Sequence, residues 1–193
     1  ADVTPPTYVT CPGDQTINAS PGLCTGVLPG PTFGFSDNCP GTTNAQVSGT
    51  SISDPMPVGV HPVSFRLTDA AGNQSVATCN FIVTVVDNQA PVAVCQNITI
   101  NLGAGSVSIV AADIDGGSTD NCSIASLSAS QTTFNAVGTY NVTLTVTDAA
   151  GNTDDCVAVV TVTDVNPPVA VCQNITINLD ASGNATIVAA DID

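Results

Sequence analysis

The sequence contains no glutamate, no lysine and no tryptophan. It has a single arginine, Arg66, and a single histidine, His61. Glutamate and lysine are the usual fillers of exposed helix faces, so their absence argues against a helical protein. With aromatics at 4%, any core is built from Val, Ile, Leu and Ala. One histidine is too few for a zinc site or a catalytic triad. No stretch approaches the ~18 apolar residues of a membrane span, so direct membrane insertion is not expected.

All sixteen acidic residues are aspartate, and the net charge is −15. Such a surface repels nucleic acid and anionic lipid, and it suits surroundings rich in salt or divalent cations. The remaining vocabulary of Thr, Val, Ile, Ser, Asn and Gly is that of strands and tight turns. Eight cysteines occur without CxxC pairs. In a strand-rich chain with small cores they imply disulfides and an oxidising, extracellular or cell-surface location.

The chain repeats itself. Residues 91–102 and 168–179 both read PVAVCQNITINL, and IVAADID follows each after a short variable turn. The matching Cys95 and Cys172 stand 77 residues apart, as do Cys79 and Cys156. The first part is a diverged copy: SDNC at 36–39 answers TDNC at 119–122, and TDAAGN occurs at 68–73 and 147–152. The expected units are residues 1–88, residues 89–165 and, at 166–193, the opening of a third repeat that continues past residue 193.

Within a repeat, apolar residues alternate with polar ones. Tyr140, Val142, Leu144 and Val146 interleave with Asn and Thr, and Val63, Phe65 and Leu67 do the same. This is the period of a half-buried strand. Each such strand runs into DAAGN, where a glycine can close a hairpin. About seven short strands in ~80 residues fit an all-β architecture of tandem immunoglobulin-like Greek-key β-sandwiches.

In such a sandwich the first and last strands lie side by side. That predicts the pairs Cys11–Cys79 and Cys95–Cys156. Cys24 and Cys39 are left to pair within the first repeat. Cys122 then has no partner, and Cys172 awaits one beyond residue 193. The same topology gathers aspartates at one pole: Asp87 from the linker, Asp113, Asp115 and Asp120 from DIDGGSTDNC, and Asp148 from DAAGN. Asp2, Asp37 and Asp69 are the first repeat's version, and Asp164, Asp191 and Asp193 the third's. Crowded carboxylates suit Ca²⁺, which takes six to eight oxygens, although each aspartate can equally cap its own turn. An ion held partly by a linker aspartate stiffens a domain junction.

Other chemistry is thin. Asp154 and Asp155 flank a hairpin with no cleft across which two carboxylates could act, so no enzyme is expected. Asn-x-Ser/Thr sequons occur at Asn18, Asn73, Asn97, Asn121, Asn141, Asn174 and Asn184.

The stretches DVTPPTYVTCPGDQTIN, GLC, SDNC and TDAAGNQSVATCNFIVTV together resemble the hyalin repeat (HYR) module. The second repeat, with DIDGGSTDNC and TDAAGN, also resembles the tandem repeats of giant Bacteroidota cell-surface adhesins of the SprB gliding type. The resemblance implies an extracellular stalk or filament for surface attachment or gliding, exported by the type IX route. Its partners would be neighbouring repeats and substratum glycans or surface proteins. Alternatively, loops at one pole bind a carbohydrate or protein ligand. The resemblance also implies a cysteine before the VG of the sixth strand to partner Cys122. Here that place reads FNAVG, consistent with a free Cys122. The first repeat lacks the family's internal cysteine pair in the middle strands.

Overall fold

The computed structural model describes residues 2–103 and 105–192. Fourteen strands appear among them, with two single-turn 3₁₀ segments as the only helical structure.

The first sandwich holds β1 (Thr7–Thr10), β2 (Gln15–Asn18), β3 (Thr25–Gly26), β4 (Gly34–Ser36), β5 (Thr43–Gly49), β6 (Met56–Pro57), β7 (Gly59–Thr68) and β8 (Cys79–Val86). Its larger sheet runs β2-β8-β7-β5, with β2 parallel to β8 and the other pairs antiparallel. The pairs β1–β4 and β3–β6 supply the opposing layer. The second sandwich holds β9 (Ile98–Asn101), β10 (Val107–Ser108), β11 (Ile124–Ala129), β12 (Thr133–Phe134), β13 (Gly138–Asp148) and β14 (Thr153–Thr163). Its sheet runs β11-β13-β14-β9, again with the first strand parallel to the last. The sequence led to about seven strands per unit; the structure has eight and six. Both units are immunoglobulin-like β-sandwiches.

Alternation decides which side chains are buried. Val142, Leu144 and Val146 of β13 and Ala158, Val160 and Val162 of β14 face one core, joined by Ile109, Ile114 and Phe134. Tyr140, expected on the same face, is only half-buried. Its ring packs on Phe134 at 4.9 Å and its hydroxyl donates to the Ala136 carbonyl. In the first sandwich Val63 and Phe65 meet Phe81, Val83 and Val85, with Leu28 and Met56. Phe33 closes that core against Phe65 at 4.8 Å between ring centres. The hairpins β7–β8 and β13–β14 turn through DAAGN, with Gly72 at φ 91° and Gly151 at φ 94°. A side chain there would strain the backbone.

The first strand of each unit changes sheets. β1 pairs with β4, whereas β2 pairs with β8. Cys11 lies at this crossing and is bonded to Cys79, the first residue of β8, with Cα atoms 5.7 Å apart. Cys95, bridged to Asp115 just before β9, is bonded likewise to Cys156 on β14 at 5.8 Å. Next to each crossing one side chain replaces a backbone acceptor. Asp14 Oδ1 accepts from the Ile82 amide, and Asn97 Oδ1 from the Val159 amide, both at 2.8 Å.

The remaining cysteines depart from expectation. Cys24 is bonded to Cys122 of the second sandwich, with Cα atoms 4.7 Å apart, and not to Cys39. Cys122 is therefore not free. Cys39 and Cys172 are the free, exposed thiols. The reason is polarity along the domain. The segment after β2 lies where β8 ends, since Ala19 N donates to Val86 O. This is the exit pole, beside the linker. Cys39 follows β4, whose Ser36 pairs with Thr7 at the start of β1. This is the entry pole. Cys24 and Cys39 are close in sequence and at opposite ends of one sandwich.

Removing the Cys95–Cys156 bond by Cys95→Ala with Cys156→Ala opens a 61-residue separation and costs roughly 4 kcal/mol in the chain-entropy model. Urea unfolding followed by far-ultraviolet circular dichroism reads this as a lowered midpoint for the second sandwich.

Candidate metal and junction site

The linker between the sandwiches, residues 87–91, crosses the entry pole of the second. Asp87 is 8% exposed. Its Oδ1 accepts from the Gln89 amide at 3.1 Å and from Asn121 Nδ2 at 3.2 Å. Its Oδ2 is buried and has no hydrogen-bond partner. Asp120 stands beside it. Its Oδ2 accepts from the Cys122 and Ser123 amides at 2.7 and 2.8 Å, while its buried Oδ1 has no partner. Candidate ligand atoms of Asp87, Asp120 and Cys122 lie within 4.8 Å of one another. The sulfur is spent in the disulfide, so the carboxylates are the ligands on offer. Asp148, 2% exposed, is consumed by its own turn. Its Oδ1 accepts from Ala150 and Asn152 amides, and Asn152 Nδ2 donates to its Oδ2 at 2.7 Å. Burial pushes this carboxyl up, but those hydrogen bonds outweigh it and hold it below the ordinary range.

The entry pole of the first sandwich repeats this set. Asp2, Asp37 and Asp69 offer oxygens within 4.8 Å of one another. Asp2 Oδ1 accepts from the Thr4 amide at 2.9 Å and Asn38 Nδ2 at 3.1 Å, which together hold its carboxyl low. Asp2 Oδ2 and Asp37 Oδ1 are buried without partners. Asp69 is capped by Ala71 and Asn73, as Asp148 is by its counterparts. The neighbouring Cys39 thiol is pushed up first by the Asp2 carboxylate beside it, then by desolvation and by the charges of Asp37 and Asp69.

The other aspartates singled out in the sequence are not gathered in. Asp113 Oδ2 accepts from the Val110 amide inside its 3₁₀ turn. Asp115 Oδ1 accepts from Ser118 Oγ at 2.6 Å and the Ser118 amide at 3.0 Å. Asp164 caps Asn166, and Asp191 closes the turn at Val188. Asp193 lies outside the described residues. The opening half of DIDGGSTDNC thus caps local turns, and only its Asp120 reaches the cluster.

Sequence reasoning missed the amides. Asn121 Nδ2 donates to Asp87 Oδ1 and to the Leu23 carbonyl, so it spans the two sandwiches. Gln89, in the linker, holds the same loop, its Oε1 accepting from Gly22 N at 2.7 Å and its Nε2 donating to Ser20 O at 3.2 Å. Asn152 Nδ2 also donates to the linker carbonyls of Asp87 and Gln89. The shared Asn of TDNC and DAAGN was the available signal. The side-chain nitrogens of the sequon residues Asn73 and Asn121 are committed to these bonds.

His61 is 9% exposed, with both ring nitrogens engaged. Nε2 donates to the Pro57 carbonyl at 2.7 Å, and Nδ1 lies 3.1 Å from the Thr50 hydroxyl. Asp154 Oδ2 accepts from the Ala93 amide and pins the start of the second unit.

Residues 1–85 match the model of the HYR domain, and residues 75–165 that of a bacterial Ig-like domain. Hyalin of Strongylocentrotus purpuratus is 32% identical over 189 residues, covering 90% of this chain and 15% of its own length. The chain thus spans about one-seventh of that relative. Among solved structures, human CDH23 EC21-23 aligns over 83% of this chain and 70% of its own, at 13% identity and TM-score 0.45. Drosophila N-cadherin EC1-4 aligns over 83% and 50%, at 11% identity and TM-score 0.44. These spatial matches are loose and bear on no residue of the site.

Ser118→Ala removes the side-chain bond that most strongly lowers the Asp115 carboxyl. A lowered folded-state pKa stabilises above the unfolded value and is lost as pH falls through the folded one. In a carbon-detected NMR titration, Asp115 titrates below its ordinary ~3.9 and moves up toward it in Ser118→Ala. An unchanged midpoint counts against the assignment.

Proposed function

Because residues 1–85 match the HYR domain and residues 75–165 a bacterial Ig-like domain, we propose that the chain is a segment of an extracellular structural stalk. In this reading residues 1–88, 89–165 and 166–193 are successive units of a longer array. Its duty is to carry length and load between an anchor and a surface, without catalysis: the matched families are non-enzymatic β-sandwich modules. The observation that carries the reading is the junction itself. A disulfide and the Asn121–Leu23 hydrogen bond join one sandwich to the next, and Gln89 of the linker adds two bonds to the same loop, where a freely jointed pair would need none. The partners are neighbouring repeats and, at the ends of the array, substratum glycans or surface proteins. The DIDGGSTDNC and TDAAGN motifs and the bacterial Ig-like match support a narrower setting. That setting is a bacterial surface adhesin of the gliding type, exported by the type IX route. The disulfides support placement outside the cell.

Calcium completes the junction in this proposal. Buried, unpartnered polar atoms cost free energy, charged ones most of all. Here they come in pairs, Asp87 Oδ2 with Asp120 Oδ1 and Asp2 Oδ2 with Asp37 Oδ1. A hard divalent cation satisfies both members of a pair, with water and carbonyl oxygens filling its shell.

Titration calorimetry with CaCl₂ is expected to show binding, and calcium at a hundred times its Kd adds about 2.7 kcal/mol per site. Asp87→Asn with Asp120→Asn removes the junction's share of that heat. Absence of heat and of any rise in melting temperature at millimolar calcium sinks the metal. Small-angle scattering that shows freely swivelling sandwiches sinks the stalk.

A further inference from the structure

The two entry poles are built alike, but only one is filled. At the second, the loop at residues 20–24 of the first sandwich is seated: its Cys24 is bonded to Cys122 and its Leu23 carbonyl accepts from Asn121. At the first, Asp2, Asn38, Cys39 and Asn73 stand in the arrangement of Asp87, Asn121, Cys122 and Asn152, with Thr4 in the place of Gln89. Asn38 Nδ2 reaches Asp2 Oδ1 at 3.1 Å, against 3.2 Å for Asn121 and Asp87. Asn73 Nδ2 reaches the Asp2 carbonyl at 3.2 Å, against 3.3 Å for Asn152 and Asp87. Cys39 stands where Cys122 does, exposed and unbonded. It borders an open cavity of about 350 Å³ lined also by Phe35, Asp37 and Thr42.

We propose that this pole is a covalent socket for the cysteine-bearing loop of a preceding repeat of the same architecture, and that Cys39 is its bonding residue. The occupant is a loop of the residue 20–24 type, with a cysteine at its last position. A second copy of the present chain in solution does not fit, because its own Cys24 is already consumed by Cys122. The second unit carries no such cysteine: its corresponding turn reads GAGS, residues 103–106. Junctions are therefore of two kinds, sulfur-locked after a repeat like the first and open after a repeat like the second. Bond formation is a thiol–disulfide exchange. Two protein thiols and one small-molecule disulfide, such as oxidised glutathione, become one protein disulfide and two reduced thiols. The attacking thiolate displaces glutathione from the loop sulfur.

The inference rests on the tandem-array reading and not on calcium, so it is tested in chelator. The full chain is extended at its N-terminus by a second copy of residues 1–88 and oxidised in a glutathione redox buffer. Alkylation and peptide mapping then identify the free thiols. The expected result is a peptide joining the added copy's loop cysteine to Cys39, with Cys39 protected from the alkylation it undergoes in the unextended chain. The added copy's own SDNC cysteine stays free. In the extended chain with Cys39→Ser, a change at a thiol unbonded in the present structure, the added loop cysteine becomes alkylatable. The socket is overturned if Cys39 stays as reactive as in the unextended chain while Cys24–Cys122 forms. It is equally overturned if the added loop cysteine pairs within its own copy. Failure with a rigid array in scattering rejects the socket alone, whereas swivelling sandwiches reject the array.

Discussion

The placement of one sandwich against the other rests above all on the bond between Cys24 and Cys122. The bonds at Cys79 and Cys156 each tie a crossing segment to the last strand of its own sandwich. They hold a small core together without touching the neighbour. The Cys24–Cys122 bond does the opposite and fixes one sandwich against the next. Around it, Asn121 and Gln89 use short amide side chains to reach the backbone of residues 20–23. Backbone carbonyls and amides at a loop tip are obligatory hydrogen-bonding groups. Meeting them from the linker and the neighbouring domain makes the loop a fitted part of the joint.

The acidity of the chain reads differently once the poles are seen. Most aspartates serve their own turns. Asp69 and Asp148 accept hydrogen bonds at both oxygens, which keeps each ionised despite burial. Asp2, Asp37, Asp87 and Asp120 each leave one buried oxygen without a donor. These four fall into two matching pairs, one per entry pole, and each pair includes the aspartate that leads the chain into its sandwich. The buried carboxylate oxygens left without a donor thus lie at the entry poles, the second of which receives the loop of the first sandwich.

Much of this was legible beforehand. Period-two alternation on residues 63–67 and 142–146 named the core strands, because side-chain direction along a strand is a local property. The repeated cysteines at a spacing of 77 residues and the side-by-side position of first and last strands pointed to the two intradomain bonds. What misled was proximity. Cys24 and Cys39 are fifteen positions apart and looked like partners, and Asp113 and Asp115 sit close to Asp120 in one motif. In each case a strand or a tight turn carries the chain elsewhere. β4 takes Cys39 to the entry pole, and the bridge between Cys95 and Asp115 keeps Asp115 beside the sheet crossing.

The order of residues was enough for the all-β class, the repeat, the buried stripe of each main strand and the staples inside each sandwich. All of these follow from patterns that a strand or hairpin imposes on its own residues. Which pole each loop occupies, and so which cysteine meets which across the junction, came only with the assembled sandwiches. That pairing depends on the sheet-switching path of the first strand and on the stacking of two domains, and it joins residues 98 positions apart that share no local pattern.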